Sequence, residues 1–393
     1  MFDPFQPILT LAEQLLATRF SCPIRLEPTA LLDSQHDVLR CRVLAGDTVT
    51  PSSVVLKQLN EESKAQFSPR QLFLNEWACL EFLSTLPTNC GPKLYASQHT
   101  EQLVIMEDLG ECPSLQDLLY GADPAAAYQA LSEWGVLLGR LHRAALGQET
   151  QFLEIQSGLG AATSVSDGSI DLRDLLPELR ECLQTLAIPL PDGFERNLNA
   201  VADAMRGSSP FRTFAHFDAG PHNVLLAQDG LKLLDYELAG FGNGLIDTTG
   251  ARMAFPAAYR GRRIPRAGLE TVEANYRTHL ADANPLIADD TVYQTAITQA
   301  CAHHAFVKMW GFWKNYLKNR LRVGDRYEAQ QGINPDRAAY FRQMVFTYLL
   351  AFANTAEEFR QLPDLRAVIQ QVMDALRREW PDLEPWPVFP AFQ

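Results

Sequence analysis

The sequence has no paired cysteines, no apolar run long enough to span a bilayer and no surplus of basic residues. Its seven cysteines (Cys22, Cys41, Cys79, Cys90, Cys112, Cys182 and Cys301) are odd in number, scattered and never in Cys-x-x-Cys spacing. They read as reduced, mostly buried thiols rather than a disulfide framework. The opening Met-Phe-Asp-Pro leads into no basic segment followed by an apolar one, and nowhere does the chain run apolar for the roughly 20 residues a bilayer needs. A cytoplasmic protein with no membrane partner is the expectation. With 34 basic against 47 acidic residues, net −13, a sequence-independent grip on nucleic acid or an anionic membrane is disfavoured. A cationic or neutral partner fits the balance better, although mild acidity also serves solubility alone.

What is present is an ordinary globular composition, 47% apolar over 393 residues, enough for two or three compact units. There is no internal repeat and no low-complexity tract. Residues 38–44 and 54–59 alternate in polarity as half-buried antiparallel strands do, with Gly46, Asp47 and Pro51 between them. From Gln71 to Leu86 the apolar positions recur at helical spacing and Pro87 ends the run, and another strand follows at Gln102–Met106. After Glu107-Asp108-Leu109-Gly110 long helical segments dominate: Ala125–Leu146, Leu172–Leu186, Phe194–Met205 and most of residues 267–377. The boundary is therefore expected near residue 108, giving units 1–107 and 108–393. Small and polar residues from 157 to 170 read as a loop.

One strand-rich stretch interrupts the helical half. It runs from His216-Phe217-Asp218-Ala219-Gly220-Pro221-His222-Asn223 through two short apolar runs to Asp235. Asp229-Gly230 between those runs is a strong hairpin signal, which would set Leu225 opposite Leu234 and Val224 opposite Asp235, with Asn223 diagonal to Asp235. An amide oxygen and a carboxylate held together by a rigid hairpin suit a hard cation, for which Mg²⁺ with nucleotide phosphates is the usual occupant. Asp218, on the loop entering the hairpin, is then placed to orient or deprotonate a hydroxyl. Phosphoryl transfer asks mainly for positioning and charge neutralisation, so these three residues form a sufficient set. Each acid alone would more simply be a loop cap; the joint spacing reverses that preference.

The pattern His-x-Asp-x-x-x-x-Asn, a short hairpin, then Asp235-Tyr236-Glu237 resembles the aminoglycoside phosphotransferase and choline kinase family, relatives of the protein kinases. The resemblance implies an α+β, protein-kinase-like bilobal fold: a small antiparallel sheet with one helix, and a larger helical lobe. It implies a cytoplasmic phosphotransferase moving the γ-phosphoryl group of ATP, or GTP, with Mg²⁺, onto a hydroxyl of a small molecule such as an amino alcohol, a sugar or an aminoglycoside-like compound. It assigns Asp218 as base, Asn223 and Asp235 as metal ligands, Lys57 to the nucleotide phosphates and Glu76 to holding that lysine, with Glu81 the rival. Leu103–Gly110 resembles the strand and hinge that meet the nucleotide base, through Met106, the Glu107 carbonyl and the Leu109 amide. Trp134–His142 is similar to the family's helix ending in Leu-His. His216 and Asp247, the latter in Gly240-Phe-Gly-Asn-Gly-Leu-Ile-Asp247, take supporting roles, Asp247 bracing the catalytic loop. The resemblance covers roughly residues 25–255.

There are departures from that pattern. The turn Asp33-Ser34-Gln35-His36-Asp37 lacks the glycines that let backbone approach phosphates, leaving the Ser34 hydroxyl as the phosphate contact. Phe217 stands where the family often has glycine, and Gly220 where protein kinases carry lysine, which disfavours a protein substrate. The acceptor pocket is expected in the helical lobe, where the sequence offers His303, His304, Phe306, Lys308, Trp310, Phe312, Trp313 and Tyr316. Phe306, Trp310, Trp313 and Leu317 recur at helical spacing and read as a core stripe rather than an aromatic cage. His303 and His304 read as surface or core histidines rather than metal ligands. The alternative function is a catalytically silent nucleotide-binding protein acting through a partner. The sequence leaves oligomeric state open.

Overall fold

A computed structural model describes residues 5–33, 37–45, 50–58, 68–161, 170–206, 209–255, 261–324 and 326–393. Ser34, Gln35 and His36 of the glycine-free turn lie outside them. In chain order the elements are α1 (Gln6–Phe20), β1 (Arg25–Asp33), β2 (Asp37–Ala45), β3 (Ser53–Gln58), α2 (Pro69–Thr85), β4 (Leu94–Gln98), β5 (Leu103–Glu107), α3 (Leu115–Tyr120), α4 (Pro124–Ala145), α5 (Glu149–Leu159), α6 (Leu172–Thr185) and α7 (Phe194–Met205). There follow β6 (Arg212–Ala215), β7 (Val224–Ala227), β8 (Gly230–Leu233), β9 (Gly240–Asn243), α8 (Leu245–Arg252), α9 (Arg266–Leu280), α10 (Asp290–Phe312), α11 (Lys318–Val323), α12 (Tyr327–Gln330), α13 (Pro335–Glu358) and α14 (Pro363–Glu379). The fold is α+β in two compact units, the first Met1–Ser114, Gly147–Ser166 and Asn223–Gly240, the second Leu115–Leu146, Asp167–His222 and Phe241–Gln393. This division differs from a single cut near residue 108: α5 and the β7–β8 hairpin belong with the strand-rich unit. No helix among the described residues is long and apolar enough to cross a membrane.

In the first unit β1-β2-β3-β5-β4 form one antiparallel sheet. Helix α1, for which the strand and helix patterns above make no provision, lays Leu9, Ala12 and Leu16 over Leu39, Cys41, Val54, Leu56, Leu103 and Ile105. Because side chains alternate along a strand, burying Val54 and Leu56 against α1 turns Lys57 to the opposite face. Helix α5 occupies the first three residues of the expected loop at 157–170 and packs on α2 through Phe82 and Phe152, whose rings lie 5.3 Å apart.

The β7–β8 hairpin is shifted by two residues from the expected register. Val224 pairs with Leu233, not Asp235, and Leu225 with Lys232, so the two-residue loop is Gln228-Asp229 rather than Asp229-Gly230. The reason lies in Asp229. Its carboxylate is held by Lys232 Nζ at 2.9 Å and Asn89 Nδ2 at 2.6 Å, while Gly230 alone takes the left-handed φ of +112° as the first residue of β8. A slip of two keeps each side chain on its face. The Asn223 carbonyl accepts from Leu234 N–H at 2.8 Å, so Asp235 begins one residue past the ladder.

The second unit is helical around a core that joins α6, α7, α10, α13 and α14. Phe306, Trp313 and Leu317 of the stripe are 0–2% exposed in that core, whereas Trp310, its fourth member, is half-buried against it. Helix α4 starts on Asp123, whose carboxylate accepts from Ala125 and Ala126 N–H, a cap that satisfies two otherwise orphaned donors. One turn apart on α4, Gly135 and Gly139 let α9 approach closely. A Cβ on Gly135 would sit 2.5 Å from the Val272 carbonyl oxygen, and one on Gly139 2.9 Å from that of Tyr276.

Gly135→Ala sets helix propensity, worth about 1 kcal/mol in favour of alanine, against a backbone clash that must push α9 away. Overpacking costs about 1–3 kcal/mol, so the variant is expected to lower the urea midpoint; an unchanged or raised midpoint would contradict the close contact.

Candidate active site

In the first unit the centre is Lys57 on β3. Its Nζ lies 2.7 Å from Glu76 Oε2 on α2, 2.6 Å from Asp235 Oδ1 and 3.7 Å from Glu237 Oε2. The lysine side chain is 9% exposed, Glu76 2% and Asp235 39%. Burial works against the charged ammonium, but Asp235, Glu76 and Glu237 outweigh it and hold the Lys57 pKa above its ordinary value. For Glu76 burial dominates: it pushes the carboxyl up, Asp235 pushes the same way, and Lys57 only partly offsets them. Of the two candidate acids on α2, Glu76 and not its rival Glu81 pairs with the lysine.

Three further contacts aim this cluster. Asp235 adopts left-handed φ of 62°, uncommon for a residue with a Cβ. Just beyond it Tyr236, 0% exposed, donates its hydroxyl to the Cys90 carbonyl at 3.2 Å, and its ring fills the space a Cβ on Gly91 would need. Asn75 of α2, 1% exposed, donates to the carbonyls of Glu237 at 2.9 Å and Ala239 at 2.8 Å while accepting from Gln156 of α5. One buried amide thus ties α2, α5 and the segment after Asp235. Glu76, Asp235 and Glu237 offer oxygens within 4.8 Å of one another, and an all-oxygen carboxylate set fits a hard divalent cation.

The expected hinge lies in the same unit. Met106 and Glu107 end β5, and Leu109 stands in the turn beyond it. That turn is held by the guanidinium of Arg40 of β2, whose Nε donates to Asp108 Oδ1 at 3.1 Å and whose Nη2 donates to the Gly110 carbonyl at 2.8 Å.

In the second unit Asp247 of α8 is the organising group. It is 4% exposed; Oδ2 accepts the His216 N–H at 2.7 Å and Oδ1 the Phe217 N–H at 2.8 Å. His142 of α4, fully buried, places Nε2 3.1 Å from Asp247 Oδ2 and Nδ1 3.0 Å from the Tyr276 hydroxyl of α9. Burial opposes ionisation of Asp247, but the His142 hydrogen bond and charge, followed by His216, prevail and hold its pKa below the ordinary carboxylate value. The held amides belong to a strained loop: Phe217 has φ of 61°. A glycine would suit that backbone; here the phenyl ring packs where a Cβ on Gly242 would stand 2.5 Å away. Asp218 follows directly, its N–H 3.3 Å from His216 Nδ1 and its Oδ2 4.0 Å from His222 Nε2.

The structure therefore brings Lys57, Glu76 and Asp235 into direct contact in one unit, and His216, Phe217 and Asp247 in the other, with Asn223 joined to Leu234 through its backbone. The motifs assign no role to Asn75, Glu237, His142 or Tyr276: His142 and Glu237 lie within Trp134–His142 and Asp235-Tyr236-Glu237, while Asn75 and Tyr276 carry no local signal.

The sequence matches the phosphotransferase enzyme family over residues 43–279, more than half of the chain. Among solved structures it is similar to a choline kinase from Cryptosporidium parvum Iowa II at 12% identity, covering 80% of this chain and 92% of that one with a TM-score of 0.43. It is similar also to a thermostable mutant of aminoglycoside phosphotransferase APH(4)-Ia at 14% identity, covering 88% and 99% with a TM-score of 0.42. A putative fructosamine-3-kinase from Haemophilus somnus 129PT stands at 13% identity, 82% and 95% coverage and a TM-score of 0.42. No curated protein matches the sequence.

Asp247→Asn removes the charge that two backbone amides and His142 satisfy, and hydrogen bonds to charged groups contribute about 1.5–3 kcal/mol each. The folded-state pKa is depressed, so the contribution is present above the unfolded carboxylate value and is lost as pH falls through the folded one. Urea midpoints should show wild type well above the variant at pH 7, the gap closing from about pH 5 downward. A gap that is absent, or that widens in acid, would show that the carboxylate is not what holds the loop.

Proposed function

Because the chain belongs to the phosphotransferase enzyme family, we propose that it transfers the γ-phosphoryl group of ATP, or GTP, to a hydroxyl of a small molecule. The observation that carries this reading is the buried Lys57–Glu76 pair meeting Asp235. A structural ion pair needs one acid, whereas here an ammonium gathers three, the arrangement expected of a group that exchanges partners when phosphates arrive. In this reading Lys57 contacts the nucleotide phosphates, Glu76 keeps it aimed, and Met106, the Glu107 carbonyl and the Leu109 amide meet the base.

Asn223 and Asp235 would hold Mg²⁺, with Glu237 beside them in the same oxygen-rich cluster. An ion bound there would supply neutralisation of the phosphate charge. Asp218 orients the acceptor hydroxyl and takes its proton as the oxygen–phosphorus bond forms and the bond to the departing nucleoside diphosphate breaks. Asp247 acts through the backbone: by gripping the His216 and Phe217 amides it fixes where the next residue, Asp218, presents its carboxylate. His142 and Tyr276 keep Asp247 in place.

Purified protein given Mg-ATP and a panel of hydroxylated small molecules is expected to release ADP in step with acceptor phosphorylation. Asp218→Asn should cut that turnover by about 10²–10⁴-fold while Mg-nucleotide affinity stays within a few-fold of wild type. Nucleotide binding with no transfer to any acceptor, in wild type as in the variant, would favour a catalytically silent nucleotide-binding protein instead.

Lys57→Met tests the phosphate contact separately. It should weaken nucleotide binding and turnover together, measured by titration calorimetry and ADP release, whereas unchanged nucleotide affinity would remove Lys57 from the proposed site.

A further inference from the structure

Helix α10 is buried nearly all round between Ala300 and Phe312. Four residues in that stretch are only half-buried: His304, Lys308, Trp310 and Gly311. Trp310 is accounted for, since its indole N–H donates to Glu178 at 2.9 Å and Lys314 stacks on its ring. The other three stand at i, i+4 and i+7, one strip of the helix. Among the described residues nothing lies within 4 Å of the place where a Cβ on Gly311 would stand, so the strip is open to them at that end.

Lys308 is the odd member among its neighbours. Lys314 approaches Glu178 at 4.0 Å and Lys318 approaches Glu181 at 2.7 Å, yet among the described residues Lys308 meets no carboxylate and no hydrogen-bond acceptor. Burial, then the neighbouring His303 and Lys308, push the His304 pKa down to about 3, with the Ile246 backbone and Asp247 working weakly the other way. At neutral pH His304 is therefore an uncharged imidazole beside a cation, and the His303 ring stands 6.3 Å from it. An ammonium left half-buried without a counter-charge costs free energy that a bound anion would recover.

The strip also has a defined address. His304 lies against the Ile246 backbone, next to Asp247, whose carboxylate grips the two amides that precede Asp218. His304 thus backs onto the element that positions the proposed base, and both belong to the second unit.

We propose that Lys308 and His304 form an anion subsite for the acceptor, so that the hydroxyl compound phosphorylated carries a carboxylate or phosphate group. This rests on the kinase reading above and narrows it, away from the cationic or neutral acceptor that the net charge of −13 favours. Lys308 supplies the charge and His304 a neutral hydrogen-bonding nitrogen, while Gly311 leaves room beside them.

The test is binding, read independently of turnover. Glycerate and glycerol 3-phosphate serve as anionic probes and glycerol and ethanolamine as neutral and cationic ones, each titrated calorimetrically into wild type, Lys308→Ala and Lys308→Arg. At least one anion is expected to bind roughly tenfold or more tightly than glycerol and ethanolamine, and to weaken by a similar factor in Lys308→Ala, since charge-assisted hydrogen bonds are the strong ones. Lys308→Arg should restore most of the affinity, and Mg-nucleotide affinity should not move. Preference between glycerate and glycerol 3-phosphate identifies the anion as carboxylate or phosphate. Binding of neither anion, or anion affinity untouched by Lys308→Ala, overturns the subsite. Anion binding through Lys308 without phosphoryl transfer would support the subsite and contradict the kinase reading; transfer confined to glycerol or ethanolamine would do the reverse.

Discussion

Lys57 carries its charge to a place where its side chain is 9% exposed, and Glu76, Asp235 and Glu237 make that position tolerable. A buried ammonium with one partner removed leaves an uncompensated charge, so each acid constrains the others. Much of the first unit serves to deliver these groups. Helix α1 covers one face of the sheet and so turns Lys57 to the other; Asn75 and Tyr236 fasten the segment that carries Asp235 and Glu237. Asp235 is the most exposed of the lysine's near partners. It is therefore the partner whose charge water screens most, while Glu76 is held in the interior.

The second unit solves a related problem with a buried acid rather than a buried base. Asp247 spends its carboxylate on two backbone amides and an imidazole, which stabilises its charge despite burial and holds a loop whose Phe217 sits in left-handed backbone. Strain of that kind persists only where the surroundings over-determine it. The contacts that do so come from α8 and α9 and from α4, about a hundred residues earlier in the chain, and the glycines at 135, 139 and 244 are what let these elements close in around His142.

Several of these features were legible before any coordinates. Strand alternation located β2 and β3, helical spacing located α2, α4, α6 and α7, and the order lysine, glutamate, His-x-Asp, hairpin, aspartate singled out residues that the chain brings into two tight clusters. The hairpin register was not legible. Asp-Gly is a good turn signal, but it cannot show that Asn89 and Lys232 hold the aspartate's carboxylate and that the turn moves by one residue, which shifts the pairing register by two. Helices α1 and α5 escaped because their apolar stripes answer to surfaces supplied by distant strands and by α2. Asn75 and Tyr276 escaped for the same reason: a buried asparagine or tyrosine has no periodic signature, and its importance is defined by partners 81 to 164 residues away.

The most direct test of the central claim is a crystal structure with AMP-PNP and Mg²⁺. Lys57 Nζ should keep Glu76 within hydrogen-bond distance and exchange Asp235 for a phosphate oxygen, with the ion on Asp235 and Asn223. A nucleotide bound away from β3, or Lys57 still paired to Asp235 with the phosphates elsewhere, would contradict it.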